Sequence, residues 1–190
     1  MKTVKNILIV AIMFALSIGY SVNEETNPTK SKTVLVFSNV KKGHELIVKT
    51  VNGKVVYRET IERNGTYAKR FDLTALEDGQ YIIELDKDFE IVLKPFNIVD
   101  HKVNFLKEQE ASIFKPVVRL EDDKLMISQL ALDKNPLNME LYYEGELIYQ
   151  VKMETESIIE KVFKLSENQK GEYSLRFSSG DRIFNERFTL

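Results

Sequence analysis

Gly79-Gln80-Tyr81-Ile82-Ile83-Glu84-Leu85 and Gly171-Glu172-Tyr173-Ser174-Leu175-Arg176-Phe177 stand 92 positions apart and carry one pattern. A glycine opens each stretch, and large apolar residues follow at every second place. A period of two belongs to a strand with one buried face, whereas a helix would space its apolar residues by 3.6. The second stretch is the cleaner, with Ser174 and Arg176 alternating against Tyr173, Leu175 and Phe177. Upstream, Leu73 to Tyr81 and Leu165 to Tyr173 read as corner segments entering a strand. Each tyrosine is expected to place its ring in the core and its hydroxyl on backbone across the corner.

The likeness extends outward from these strands. Sliding the chain by 92 aligns 45–98 with 137–190 without a gap and gives ten identities, among them Gly53/Gly145, Tyr57/Tyr149, Lys69/Lys161, Phe71/Phe163 and Phe96/Phe188. About three would be expected by chance from average residue usage. The matched residues are turn glycines and large apolar residues at alternate positions, which a fold constrains. Leu35-Val36-Phe37-Ser38 pairs with Leu125-Met126-Ile127-Ser128 at an offset of 90, so two extra residues are expected near Asp133–Pro136. The chain reads as one unit written twice.

Further strands are expected at Leu46–Val51, at Lys54–Ile61 and around Leu147, Tyr149, Val151 and Met153. Asn52-Gly53 marks a two-residue hairpin turn with positive φ at both places, and Glu144-Gly145 holds the same position in the second half. Other turns are marked by Asn64-Gly65, Asp86–Asp88, Asp122-Asp123 and Ser179-Gly180. Pro95 has no amide hydrogen, so the strand around 89–98 should lie at an edge or carry a bulge. The fold class is all-β: two tandem small immunoglobulin-like antiparallel β-sandwiches. The modules span 33–99 and 116–190, with a junction at 100–115 in which Val103, Phe105, Leu106, Ile113 and Phe114 should pack.

Residues 1–21 read as a signal peptide: Lys2 and Lys5, then an apolar run from Ile7 to Gly19, then small residues. About 20 apolar residues are needed to span a bilayer, so cleavage leaves no membrane span. Residues 22–32 are polar and read as a flexible lead-in. Loss of Lys2 and Lys5 takes the net charge from −2 to −4. That balance argues against nucleic acid as a partner. With no cysteine the chain has neither disulfides nor thiolate chemistry.

The residues resemble a known module at this point. The hairpin Gly53-Lys54-Val55-Val56, then Phe71-Asp72-Leu73-Thr74-Ala75-Leu76, then Gly79 to Leu85 and an apolar last strand, are similar to the C-terminal sorting domains of type IX secretion cargo in the Bacteroidota. Gly145, Phe163-Lys164-Leu165-Ser166, Gly171-Glu172-Tyr173 and Phe188-Thr189-Leu190 repeat the pattern. A second resemblance is to small exported Bacteroidota proteins that share such a sandwich. These resemblances imply export to the periplasm, cell surface or exterior, and a module that serves as an address.

Reactive chemistry is not expected. No Gly-x-Ser-x-Gly elbow is present, and His44 and His101 sit in no triad or metal spacing. Both read as solvated loop residues. The acidic runs Asp86–Asp88 and Glu121–Asp123 fall at turns and do not fit a calcium loop. No catalytic, metal or cofactor residue is assigned, and the chain is read as a non-enzyme without cofactor. The function expected is that of an exported interaction or structural protein of the bacterial envelope. The alternatives are a type IX cargo whose C-terminal module is the sorting signal, and a weak carbohydrate binder using Tyr67, Tyr142 and Tyr143. Free sheet edges would serve a protein partner or self-association.

Overall fold

The computed structural model describes residues 32–154, 157–166 and 169–190. The signal peptide at 1–21 and all but Lys32 of the lead-in lie outside them. Fifteen strands account for most of the described chain, and every pairing is antiparallel.

In the first half, β1 (Thr33–Val40) pairs with β4 (Gly65–Phe71) as one sheet. The second sheet runs β3 (Val55–Thr60), β2 (Glu45–Thr50), β5 (Gly79–Asp86), β6 (Glu90–Val99) and β7 (Lys102–Phe105), with β8 (Ala111–Phe114) also on β6. Leu35 and Phe37 from one sheet meet Leu46, Val48, Tyr81, Ile83, Leu85 and Phe96 from the other in one buried cluster. Each fully buried side chain of this kind contributes about 1.5–3 kcal/mol.

The second half repeats the order. β10 (Lys124–Leu130) pairs with β13 (Ile158–Lys164), with β9 (Val117–Glu121) on its other side. The facing sheet runs β12 (Glu146–Met153), β11 (Leu137–Tyr143), β14 (Glu172–Ser179) and β15 (Arg182–Thr189). Leu125, Ile127, Met139, Leu141, Tyr173, Leu175 and Phe177 form its own core. Two strands facing a third-second-fifth-sixth sheet is the immunoglobulin arrangement of B–E against C′–C–F–G. Both tyrosine corners are formed at the start of the F-type strand. Tyr81 donates to Glu77 O and Tyr173 to Gln169 O, each at 2.8 Å. Their rings stack on Phe96 and Phe188 at 5.3 and 5.2 Å.

The two halves are not related by one offset. Leu46 faces Leu85 and Met139 faces Phe177, an offset of 93 before the hairpin turn, which falls to 92 at Tyr57 and Tyr149. The turns explain the step. The first is a three-residue loop in which Gly53 alone has positive φ, +85°, and Thr50 N donates to Lys54 O. The second is the expected two-residue turn, with Glu144 at +48° and Gly145 at +86°. The first strands also shift. Leu35 faces Lys69 and Ile127 faces Lys161, so their offset is 92 and not 90.

The stretch 100–115 forms part of the first sheet. β8 covers Glu90–Leu93 of β6 and β7 covers Phe96–Val99, leaving Lys94 and Pro95 in the gap. The strand is thus neither an edge nor bulged; its neighbour breaks where the amide hydrogen is missing. Pro95 O accepts from Leu106 N across that gap at 2.9 Å. In β12 the alternation holds for Val151 and Met153, but a bulge beside Leu141 turns Leu147 to the other face, opposite Tyr142. Tyr149 and Leu147 are exposed on this edge strand.

Candidate functional site

Two polar constellations are built into this frame. The first joins the halves. Glu84 alternates away from the first core, yet it is only 4% exposed. It pairs with Lys49 of the neighbouring strand at 2.8 Å and with Arg182 of the second half at 2.5 and 3.3 Å. Burial works to raise the Glu84 carboxyl, but the Arg182 and Lys49 charges outweigh it and hold it below the usual carboxylate range. Nearby, Gln129 Nε2 donates to Phe114 O at 2.9 Å, linking β10 to β8. Five strands, β2, β5 and β8 of the first sandwich and β10 and β15 of the second, therefore share one polar seam. Its bonded partners Glu84 and Arg182 are 98 residues apart, and no local pattern announces them.

The second constellation closes the open side of the first sandwich, between edge strands β3 and β4. Glu59 Oε2 accepts from the hydroxyls of Tyr57 and Tyr67, the latter at 3.0 Å, and from Lys69. Lys69 Nζ also donates to Tyr57 Oη at 2.5 Å and lies 5.1 Å from the Tyr57 ring centre. Burial raises the Glu59 carboxyl, but Lys69 and the two hydroxyls bring it below its ordinary value. Burial and then Glu59 push the Tyr67 hydroxyl up, and the Glu59 hydrogen bond raises Lys69. The cluster is a self-satisfied ionic latch.

His44 is buried, at 5% exposure, and not the solvated loop residue expected. Lys41 N donates to its Nδ1 at 3.1 Å, so Nε2 carries the proton and faces Asp88 Oδ1 at 3.3 Å. The imidazole ties the β1–β2 loop to the β5–β6 turn, where Lys41 holds the Asp88 carboxyl below its ordinary value. His101 is exposed, as expected. With Asp100 it makes a two-residue turn at positive φ, and both amides donate to Asp78. Asp86 pairs with Lys115, and Asp123 with Lys164 at 3.1 Å. Among the described residues no group of three or more acidic, histidine or cysteine side chains is placed to hold a metal.

The three tyrosines considered for sugars do not share a platform. Tyr67 is spent on Glu59 and the first core. Tyr143 donates to Lys170 O at 3.1 Å and packs on Tyr173. Tyr142 faces the other side and donates to Glu140. Among the described residues no helix is long and apolar enough to cross a membrane.

No curated protein matches the chain. Three solved structures are similar to it at low identity. The BSP domain of a biofilm-associated protein has 12% identity, 85% of this chain covered and a TM-score of 0.31, and the chain spans 28% of its length. The CD2-binding domain of CD58, lymphocyte function-associated antigen 3, has 14% identity, 83% and 91% of the two chains and a TM-score of 0.28. Extracellular domains 3–5 of Drosophila OTK have 10% identity, 84% and 91%, and a TM-score of 0.24. Over the first sandwich the family described as "Secretion system C-terminal sorting domain" matches residues 27–98, so this part of the chain carries the sorting-domain resemblance read from its motifs.

Proposed function

We propose that the protein is a non-catalytic type IX secretion cargo in which a sorting-type sandwich is the export address. The family match at 27–98 is the observation that supports this reading, and on it we assign the address to the first sandwich rather than the second. The two sandwiches are copies of one unit, a reading supported by their common strand order and paired tyrosine corners. The product acts outside the inner membrane, at the cell surface or beyond. A second reading, an envelope interaction protein, is favoured by edge strands with exposed Val55, Leu147 and Ile148. The test is the location of the full chain in a Bacteroidota host with and without the type IX translocon. Loss of surface material with periplasmic accumulation in the mutant is expected. Equal surface exposure in both strains would reject the cargo reading and leave the envelope one.

A further inference from the structure

The ionic latch of the first sandwich has no counterpart among the described residues of the second, although half of its residues recur. Tyr57, Lys69 and Phe71 return as Tyr149, Lys161 and Phe163 on β12 and β13. The aromatic pair is kept edge-on, at 5.2 Å between Tyr57 and Phe71 and 5.6 Å between Tyr149 and Phe163. Glu59 and Tyr67 do not return; Val151 and Ile159 take their places. The exchange removes one carboxylate and one phenol ring from the space between the sheets. In their place is a cleft of about 390 Å³ walled by Tyr149, Val151, Met153, Ile159, Lys161 and Phe163. Lys152, Glu154 and Glu160 are exposed around it. That volume suits a small ligand.

The first sandwich shows what this geometry accepts. There, one carboxylate oxygen takes hydrogen bonds from the tyrosine hydroxyl and the lysine ammonium, while the Tyr67 ring packs against the core beside it. In the second sandwich the Tyr149 hydroxyl and the Lys161 ammonium have no hydrogen-bonding or charged partner among the described residues. We propose that the cleft between β12 and β13 binds a small carboxylate carrying an apolar or aromatic body. The ligand supplies from outside the two groups that Glu59 and Tyr67 supply from within. Its carboxylate accepts charge-assisted bonds from Lys161 and Tyr149. Its body lies on Val151 and Phe163, which are only partly buried, above the core residue Ile159.

The experiment titrates 3-(4-hydroxyphenyl)propionate and its amide into the full chain and reads binding by calorimetry and by NMR shifts of the β12 and β13 amides. Saturable one-to-one binding of the acid is expected, with the amide at least tenfold weaker. Lys161→Met, an exposed position, should weaken the acid at least tenfold without moving the melting temperature. Val151→Glu, which restores the carboxylate of the first sandwich, should abolish binding. No saturable binding of the acid, equal affinity for acid and amide, or an affinity unmoved by Lys161→Met would each overturn the proposal.

Discussion

Arg182 grips Glu84 with both terminal nitrogens, Nη2 at 2.5 Å from Oε1 and Nη1 at 3.3 Å from Oε2, and so fastens the last strand of the second sandwich to the central strand of the first. Glu84 sits on the outward face of its strand, where a carboxylate would ordinarily meet water. Its burial depends on the other half of the chain. Cutting Arg182 back to Ala leaves a buried carboxylate held by Lys49 alone. A loss of about 1–3 kcal/mol is expected, less than for a fully enclosed pair because Lys49 remains. Urea unfolding measures it; an unchanged midpoint would mean that the seam contributes nothing.

The same pair predicts a dependence on pH. The Glu84 carboxyl titrates lower in the fold than in the unfolded chain, whose glutamates titrate near about 4.3. The folded state therefore binds fewer protons there, and the contribution is complete above that value and fades as pH falls through the folded one. The stability gap between the natural chain and Glu84→Gln should be constant from about pH 7 to 5 and shrink below about pH 4. A gap that widened on acidification would reverse the assignment.

The tyrosine corners separate hydroxyl from ring. Tyr81→Phe and Tyr173→Phe remove only the bond to Glu77 O or Gln169 O and should cost about 1 kcal/mol each. Tyr173→Ala also empties a core position that is 1% exposed and should cost about 3–5 kcal/mol. Denaturant midpoints of the four proteins test the ratio.

Gly79 and Gly171 share φ of +159°, so any backbone cost of adding a methyl group is common to both. Their surroundings differ. At Gly79 a Cβ would touch only the Tyr81 ring at 3.7 Å, whereas at Gly171 it would meet Glu144 Oε1 at 2.3 Å and the Tyr143 ring at 2.9 Å. Glu144 Oε1 also accepts from Glu172 N at 2.8 Å, so it cannot move away without giving up that bond. Gly171→Ala should be the more destabilising by about 1–3 kcal/mol, read from paired thermal melts.

Much of this architecture is legible in period and punctuation. Tyr173, Leu175 and Phe177 declare their inward face, and the glycine ahead of each tyrosine places the corner. Three features escape such reading. The hairpin at Asn52-Gly53 takes a three-residue loop because Val51 joins the turn, a choice the dipeptide does not encode. The stretch 100–115 looks like a connector with buried residues, and only the unpaired side of β6 makes it a pair of strands. His44 and Glu84 are buried by partners 44 and 98 positions away, and a sequence window holds no trace of either contact. The cleft beside Lys161 was hidden for the opposite reason: it is marked by what is absent, Glu59 and Tyr67, once the halves are laid on each other.

The most direct test of the export address is surface display of a fluorescent passenger inserted between residues 1–21 and the rest of the chain, in a host with the type IX machinery. Three fusions are compared: the whole chain, the chain without 116–190, and the chain without 33–115. Display is expected with the first two and periplasmic retention with the third. Display that survives loss of 33–115 but not of 116–190 would overturn the assignment and move the address to the second sandwich.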